Sequence, residues 1–337
     1  MIEVLVTGGA GFIGSNFVRH ALAAHADWRV TTLDKLTYAG RADTLHDVLD
    51  DPRHTFIRGD VGDQSLVEPL LARSQIVVHF AAETHVDRSI SGALQFVQTD
   101  VIGTAVLLEA ARNARRLQRF IQISTDEVYG SVATGASRET DELKPRNPYS
   151  ASKTAADRLA YSYFATYGVP VIIVRPSNNY GPYQYPEKVI PLFVTNAIDE
   201  KALPLYGDGQ NVRDWLHVSD HCRALDLLIA RGDIGEVYNV GGGNDVRNID
   251  LTRRILALLD RPESLIAPTP DRPGHDRRYC LDSTKIQALG WRPDMPFERG
   301  LEDTVTWYRE NEWWWRPIKD GDASFRAYYD AHYARPR

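Results

Sequence analysis

Short apolar runs alternate with amphipathic segments through the first half of the chain. Runs rich in β-branched residues are typical of buried strands, and six of them occupy residues 2–6, 30–33, 55–57, 76–80, 120–123 and 171–174. Helical periodicity recurs between them, including residues 16–24, 103–112 and 149–167. Strands that alternate with helices in this order predict right-handed β-α-β units and a doubly wound parallel sheet in an α/β fold.

The pattern becomes less regular after residue 175. Residues 177–183 are rich in turn formers and amide side chains, and we interpret them as the crossing into a second, smaller lobe. A helix at 216–230 and a strand at 236–240 are expected to return to the first lobe. The resulting prediction is a first domain of residues 1–176 with 214–240 returning to it, and a second domain of 177–213 with 241–337.

The last third of the chain is predicted to be helical at two places. Asn248 is a residue type typical of a helix N-cap, and we expect a helix to follow it and to run to residue 259. Another helix is expected around 301–309. It is followed by three tryptophans at 313–315, which need burial or a partner.

The first strand stops at a glycine-rich turn. Gly8, Gly11 and Gly14 are spaced three apart and precede a helical segment. A strand, a glycine turn and a helix in this order are typical of a dinucleotide site, because glycines let the backbone approach a pyrophosphate. Asp34 ends the second strand, about twenty residues past the last glycine, as that fingerprint requires. An acid there can accept a hydrogen bond from a ribose 2′-OH and would repel a 2′-phosphate, which favours NAD over NADP.

Two polar groups then follow the fifth strand. Thr125, Asp126 and Glu127 come directly after it, at the carboxyl edge where open α/β sheets bind ligands. Tyr149 and Lys153 stand four apart, so a helix places both on one face. Each of these two groups also has a simple structural interpretation. Asp126 and Glu127 could cap a turn, and Tyr149 and Lys153 could be an exposed pair on a helix. Together, past a complete dinucleotide fingerprint, they predict an active site.

Charge and composition narrow the class of function. The 337 residues carry a formal net charge of −6, and no run of Lys and Arg suggests a nucleic-acid partner. Cys222 and Cys280 lie far apart in no metal-ligand or redox spacing, which favours a reducing compartment and no structural metal. The chain starts within a few residues of a strand, and no apolar stretch could span a bilayer. We therefore expect a cytoplasmic protein with no membrane contact.

A polar loop at 271–278 contains three arginines. Guanidinium groups fit phosphate oxygens, so this loop together with Arg213 is a candidate clamp for a substrate diphosphate. The alternative is a surface loop of salt bridges. Asp60, after the third strand, is likewise open to two interpretations: it could bind an adenine amino group, or it could cap the next helix.

The motif TGGAGFIG at 7–14, together with Tyr149 and Lys153, resembles the extended short-chain dehydrogenase/reductase superfamily. Within it, further segments resemble the dTDP-glucose 4,6-dehydratases: DKLTYAG at 34–40, THVDRSI at 84–90, STDEVYG at 124–130, SNNYGPY at 177–183 and DRPGHDRR at 271–278. Two departures are Thr84, where a serine is expected, and a loop between Gly130 and Tyr149 that looks shorter than in some members.

This resemblance implies an N-terminal Rossmann lobe, a smaller C-terminal α/β lobe for the nucleotide-sugar, tightly bound NAD and a homodimer formed through a four-helix bundle. The catalytic residues it implies are Thr125, Asp126, Glu127, Tyr149 and Lys153. Its cofactor residues are Gly8, Gly11, Phe12, Ile13, Gly14, Asp34, Lys35, Leu36, Thr37, Asp60, Val61, Phe80, Ala81, Ala82, Thr99, Tyr149, Lys153 and Asn179. Its substrate residues are Thr84, Thr125, Asn178, Lys188, Val189, Pro204, Leu205, Tyr206, Arg213, Asn248, Asp271, Arg272, Pro273, Gly274 and His275.

The reaction implied is oxidation at C4 of dTDP-glucose, loss of water across C5 and C6, and return of hydride to C6. Tyr149 would take the C4 hydroxyl proton, Glu127 the C5 proton, and Asp126 would protonate the leaving C6 hydroxyl. A nucleotide-sugar 4-epimerase would share the fold, cofactor, Tyr149 and Lys153, but would not need that acid and base. A decarboxylase would need a uronic acid. A non-catalytic NAD-binding regulator is a third alternative, although such proteins typically lose the Tyr/Lys pair.

Overall fold

Seven strands form one fully parallel sheet in the structure, a computed structural model that describes residues 1–333. The strands of the chain are β1 Ile2–Thr7, β2 Trp28–Asp34, β3 His54–Arg58, β4 Ile76–His79, β5 Arg119–Ile123, β6 Val171–Pro176, β7 Asn178–Tyr180, β8 Leu203–Tyr206, β9 Val212–His217, β10 Val237–Val240, β11 Asp245–Arg247 and β12 Ile266–Thr269. The order in the large sheet is β10-β6-β5-β4-β1-β2-β3. Strand order therefore reverses between β1 and β4, and ligands of doubly wound sheets bind at the carboxyl ends beside such a point.

The helices follow the strands in the predicted alternation. They are α1 Phe12–Ala24, α2 Gln64–Arg73, α3 Val86–Ser91, α4 Ala93–Phe96, α5 Gly103–Asn113, α6 Pro148–Tyr167, α7 Val189–Ile198, α8 Val218–Arg231, α9 Asn248–Leu258, α10 Thr284–Ala288, α11 Phe297–Glu310, α12 Glu312–Arg316 and α13 Ala323–Tyr333. Among residues 1–333, no helix is both long and apolar enough to cross a membrane. A π-helical turn at Val97–Ile102 precedes α5, and a 3₁₀ turn at Asp126–Tyr129 follows β5.

The parallel sheet is buried on both faces. Val4 and Val6 point into one hydrophobic cluster, which includes residues of α1 and α8. Leu5, between them, points into the opposite cluster with α2 and α5. This period of two explains why the strands read as continuous apolar runs, since helices cover both sides.

A separate hydrophobic cluster lies among the remaining elements. Around it are a three-stranded sheet ordered β11-β9-β7 and the pair β12-β8. Trp314 and Trp315 are almost fully buried in this cluster, whereas Trp313 stays 47% exposed. Two of the three tryptophans thus have the burial that the sequence required.

The six predicted strands of the first half and the strand predicted at 236–240 are confirmed. Two local predictions are wrong, and one range contains a strand that was not predicted. The range 177–183 contains strand β7, which pairs with β9 from more than thirty residues later. The helix predicted at 216–230 begins at Val218, because β9 continues through His217. Asn248 is not an N-cap: Arg247 holds that position without a side-chain cap, and Asn248 is already helical.

Candidate active site

The glycine turn after β1 leaves no space for side chains. A Cβ on Gly8 would lie 2.6 Å from the backbone nitrogen of Ala81, and one on Gly14 would lie 2.3 Å from the carbonyl oxygen of Gly8. Gly8 also has a φ of +70°. This tight turn ends at the N-terminus of α1 and lines a cavity of about 280 Å³. Backbone N–H groups at such a helix start suit an anionic pyrophosphate.

Asp34 ends β2 beside this turn. One carboxylate oxygen accepts the N–H of Ala10 at 2.9 Å, and the other accepts the N–H of Leu36 at 2.8 Å. Burial raises the pKa of Asp34, while these two N–H donors oppose the rise. The acid is therefore held in a fixed orientation at the cavity wall, where it can accept from a ribose hydroxyl.

Asp60 also lines the cavity, 2.6 Å from the ammonium of Lys35. The helix after β3 is capped by Asp63, whose side chain accepts the N–H groups of Ser65 and Leu66. The capping role weighed for Asp60 therefore belongs to Asp63. Asp60 remains available to a ligand at the sheet edge.

Thr125 organises the turn after β5. Its hydroxyl oxygen accepts the N–H of Glu127 at 3.2 Å, and its hydroxyl donates to Asp126 at 3.1 Å. This N-cap begins the 3₁₀ turn at Asp126–Tyr129, and Gly130 ends it with a φ of +74°. The cap is therefore Thr125 and neither of the two carboxyl groups, and the side chains of all three residues line the first cavity.

The two adjacent carboxyl groups have unlike surroundings. Asp126 is 3% exposed, and one of its oxygens has no hydrogen-bond partner among residues 1–333. Burial and the charge of Glu127 raise the pKa of Asp126 well above its usual value. Glu127 is only partly buried and reaches the hydroxyl of Tyr279 and the amide of Asn147, each at 3.4 Å. A buried carboxyl group with a raised pKa beside a more accessible one is an arrangement in which the first can act as an acid and the second as a base.

Tyr149 and Lys153 lie in the first two turns of α6. Asn147 caps this helix in a capping box with Ser150, which fixes the start of the segment. The Lys153 ammonium donates to the carbonyl of Ile123 at 2.7 Å, at the end of β5. Burial raises the pKa of Tyr149, and the charges of Glu127 and Asp100 raise it further. Loss of the Tyr149 proton therefore needs a positive charge nearby.

The structure brings together almost all the predicted cofactor residues. Those that line the first cavity are Gly8, Gly11, Phe12, Ile13, Gly14, Asp34, Lys35, Thr37, Asp60, Val61, Phe80, Ala81, Ala82, Thr99, Tyr149, Lys153 and Asn179. Leu36 does not line it. That residue adopts a φ of +58° and contributes its N–H to Asp34 instead.

A second cavity of about 150 Å³ adjoins the first, and Glu127, Asn178 and Lys188 line both. The other predicted substrate residues that line it are Val189, Pro204, Leu205, Tyr206, Arg213, Asn248, Arg272 and His275. Thr84 and Thr125 line the first cavity, and Asp271, Pro273 and Gly274 line neither.

The three arginines of the loop at 271–278 do not act together. Arg272 lines the second cavity with Arg213, whereas Arg277 and Arg278 form ion pairs with Asp208 and Asp245 outside it. Arg272 is therefore the one arginine of this loop that lines the second cavity.

Asp87 is a site residue that the sequence did not single out. One of its oxygens accepts from Arg272 at 2.7 Å, and the other accepts from the hydroxyls of Tyr206 and Tyr328, each at 3.1 Å. Although burial opposes it, Arg272 lowers the pKa of Asp87. The only sequence signal was the dense polar stretch 84–89, which gave no partner for this carboxylate.

The parallel sheet, its glycine turn and the Tyr149/Lys153 pair at the carboxyl edge define a short-chain dehydrogenase/reductase. The profile of the family described as GDP-mannose 4,6 dehydratase matches residues 5–304, and the chain belongs to this family.

The dTDP-glucose 4,6-dehydratase of Streptomyces niveus is 51% identical over 326 residues, which is 95% of this chain and 97% of the relative. The low-salt glycan biosynthesis protein Agl12 of Haloferax volcanii is 53% identical over 307 residues, 91% of this chain and 98% of the relative. The structure of DesIV, a dTDP-glucose 4,6-dehydratase from Streptomyces venezuelae solved with NAD bound, superposes with a TM-score of 0.92 at 51% identity. That comparison covers 94% of this chain and 100% of DesIV.

Proposed function

We propose that this chain is a dTDP-glucose 4,6-dehydratase, which converts its substrate to dTDP-4-dehydro-6-deoxy-glucose. The observation that carries the proposal is the pair Asp126 and Glu127. Its buried acid and accessible carboxylate lie in one cavity with Tyr149, and Glu127 also reaches the adjoining cavity. Oxidation alone would not need this pair, whereas elimination of water does.

The first cavity fits NAD. A Cβ on Gly8 or Gly14 would collide with neighbouring backbone, so glycine permits this tight turn, and Asp34 lines the cavity with no basic side chain in its hydrogen-bond set. Asp34 and Asp60 would hold the adenosine end, and Tyr149 and Lys153 would lie near the nicotinamide. When bound, NAD supplies the acceptor of the C4 hydride and the donor of the hydride that C6 receives.

Tyr149 would remove the C4 hydroxyl proton as the first step. A free tyrosine has a pKa of about 10, and burial raises the pKa of Tyr149 further, so Lys153 must favour the deprotonated form. The hydroxyl of Thr125, which lines the same cavity, would position the reacting C4 hydroxyl. The resulting C4 ketone acidifies the proton on C5.

Elimination follows at the adjacent carboxyl groups. Glu127 takes the C5 proton, and Asp126 delivers its proton to the C6 hydroxyl as water leaves. Burial and the charge of Glu127 raise the pKa of Asp126, which favours the protonated form that this step needs. The C6 carbon then receives hydride and becomes a methyl group.

Arg213 and Arg272 would bind the substrate diphosphate in the second cavity. Arg213 is 6% exposed and its guanidinium lies 4.5 Å from the ring centre of Tyr279, so its fork is held rigidly. Arg272 is fixed by Asp87. Two oriented guanidinium groups match the phosphate oxygens of a nucleotide-sugar.

The test compares Glu127→Gln with Tyr149→Phe in deuterated water. Glu127→Gln should retain oxidation at C4, seen as reduced nicotinamide absorbance on mixing with dTDP-glucose, but should lose both C5 deuteration and product. Tyr149→Phe should lose the oxidation itself. Normal dehydration in both variants would refute the mechanism.

A 4-epimerase would instead invert C4 and place no deuterium at C5. A comparison of the turnover of dTDP-glucose with that of UDP-glucose would show which nucleobase the substrate carries.

We further propose the two-domain division at residues 1–176 with 214–240, and 177–213 with 241–337. The support is that β10 pairs with β6 and α8 packs against α1, so the chain returns to the large sheet after β9.

A homodimer is proposed through α5 and α6, which pack side by side near exposed apolar residues that include Leu94 and Ile102. The free thiols of Cys222 and Cys280 support a reducing, cytoplasmic setting.

A further inference from the structure

The last helix of the chain packs back against the candidate site. Helix α13 spans Ala323–Tyr333, and its residue Phe325 is 3% exposed in the same hydrophobic cluster that buries Trp314 and Trp315. Tyr333, at the end of the helix, lines the second cavity. The C-terminal segment is therefore close enough to the site to affect how a ligand binds there.

Contacts with α7 hold α13 in place. The ammonium of Lys319, in the π-helical turn at Pro317–Gly321, donates to the side-chain oxygens of Asn196 at 2.7 Å and Thr195 at 3.1 Å. The amide of Asn196 in turn donates to the hydroxyl of Tyr329 at 3.0 Å. Lys319 is 7% exposed, so these bonds are shielded from water. The position of α13 is thus set by contacts that do not depend on a ligand.

Tyr328 connects α13 to the start of α3. Its hydroxyl donates to Asp87 at 3.1 Å and lies 3.4 Å from a ring nitrogen of His85. The rings of Tyr328 and His85 meet edge to face, with 5.1 Å between their centres. The guanidinium of Arg88 lies 4.6 Å from the centre of the Tyr328 ring. Because Tyr328 is only 7% exposed, this packing holds its hydroxyl in one orientation.

Asp87 links this hydroxyl to the second cavity. One of its oxygens accepts from Arg272 at 2.7 Å, and the other accepts from Tyr328 and Tyr206, each at 3.1 Å. Donors on both oxygens fix the plane of a carboxylate, and that plane directs the guanidinium bonded to it. Asp87 is 5% exposed, so bulk water has little access to replace a donor that is lost.

Arg272 has hydrogen-bonding capacity left for a ligand. It lines the second cavity, and its Nε has no hydrogen-bond partner among residues 1–333. A guanidinium has five N–H donors in a rigid fork, so its direction decides which of them a phosphate can reach. Tyr328 itself lines neither cavity. Any effect of its hydroxyl on a ligand must therefore pass through the residues that it contacts.

We infer that Tyr328 is a positioning residue for the substrate diphosphate: its hydroxyl orients Asp87, and Asp87 orients the guanidinium of Arg272. Helix α13 is then part of the substrate-binding apparatus. The inference rests on the proposed function in one respect, the assignment of the diphosphate to Arg272. Because Tyr328 lines neither cavity, its hydroxyl should affect binding of the nucleotide and leave the chemical steps unchanged.

Tyr328→Phe tests this role, since it removes the hydroxyl and keeps the ring. Calorimetric titration of the purified holoenzyme should show the dissociation constant of dTDP rising by about 10-fold, the loss expected for one hydrogen bond to a charged group. KM for dTDP-glucose should rise similarly, with kcat unchanged within about twofold. Tyr329→Phe is the matched control, because its hydroxyl, on the next residue of the same helix, contacts Asn196 on α7. It should leave the dissociation constant unaltered. The thermal midpoint of each variant checks that it folds.

A double-mutant cycle with Arg272→Gln tests the route through the guanidinium. Once that group is absent, Tyr328→Phe should weaken dTDP binding no further. If Arg272→Gln gives no folded protein, Arg272→Lys, which keeps the charge without the fork, takes its place. Additive losses in the cycle, an unchanged dissociation constant in Tyr328→Phe, or equal weakening in Tyr329→Phe would each overturn the inference.

The titrations are run with both dTDP and UDP, which share the diphosphate. They measure binding alone and do not depend on which sugar is turned over. A parent protein that binds either nucleotide but does not dehydrate dTDP-glucose would refute the proposed function, whereas the cycle would still decide the role of Tyr328.

Discussion

Asp126 and Glu127 are neighbours in sequence for which we propose opposite roles, acid and base, and a single substitution can distinguish these roles. Asp126→Asn keeps the shape of the side chain but has no proton to deliver to the C6 hydroxyl. C4 oxidation should be retained and C5 deuteration by Glu127 should continue, while product formation falls by about 10² to 10⁴. The measurement is deuterium at C5 of recovered substrate beside the rate of keto-sugar formation.

Glu127→Gln is the companion variant, since it should lose deuteration and product together. If Asp126→Asn also stopped deuteration at C5, the two carboxyl groups would not have the separate roles assigned to them.

The buried charge of Asp100 should cost stability at neutral pH. Burial raises its pKa from 3.8 to about 6, although Lys153 and Ser152 oppose the rise. A carboxyl group with a raised pKa binds its proton more tightly in the folded state, so its contribution to stability is lost as pH rises from about 4 to about 6. A shift of about two pH units corresponds to about 3 kcal/mol.

Asp100→Asn should therefore be more stable than the parent protein at pH 7 by up to about 3 kcal/mol, with little difference at pH 4. Urea unfolding of the two proteins at both pH values measures this. A parent protein that was more stable than the variant at pH 7 would contradict the assigned direction.

At the scale of elements, a buried network joins three parts of the site. Arg175 on β6 holds Asp157 on α6 through two hydrogen bonds and donates to the hydroxyl of Tyr129 at 2.7 Å. Tyr129 is the last residue of the turn that contains Asp126 and Glu127, and Asp157 lies one helical turn beyond Lys153. The network therefore fixes these two elements relative to each other.

Arg175→Met should destabilise the protein by about 3 to 5 kcal/mol, because it leaves the carboxylate of Asp157 buried without its main partner. Arg158→Ala removes the exposed partner of the same carboxylate and should cost less than about 1 kcal/mol. Denaturant unfolding of both variants gives the comparison. If the two variants lost equal free energy of unfolding, the buried Arg175 would contribute no more to stability than the exposed Arg158.

Elements with strong local signals could be predicted from the sequence. The strands of the large sheet are apolar on both faces. Helix α6 begins at Pro148 and ends at Tyr167, and Gly168 is its C-cap, with a φ of +72°. Strand β7 could not be predicted, because its three residues favour turns and its partner β9 comes much later in the chain. Asn248 has the side chain of a cap, but its oxygen is buried without a partner beside the second cavity.

The same limit applies to the site. The glycine turn, Asp34 and the candidate catalytic residues lie in short motifs whose spacing singled them out, whereas most of the other candidate cofactor residues came from the family resemblance. Asp87 and Arg272 are far apart in sequence and meet only in the folded chain. Which of the three loop arginines faces the cavity was likewise decided by tertiary contacts with Asp208 and Asp245.

At the scale of the whole molecule, the proposed homodimer should depend on one apolar surface. Leu94 is 85% exposed and Ile102 is 44% exposed, on consecutive helical turns that lead into α5. Tyr161 is exposed on α6, which packs beside α5. Two copies of this surface could form a bundle of four helices, and a stable interface of this kind buries about 1,600 Å².

Ile102→Glu should give a monomer, because it places two like charges in the centre of the twofold interface and leaves the protomer core untouched. Leu258→Glu is the matched control, since Leu258 is similarly exposed on α9, away from this surface. Sedimentation equilibrium of both variants measures the assembly. A dimer that survives Ile102→Glu, or one that is lost equally in Leu258→Glu, would place the interface elsewhere.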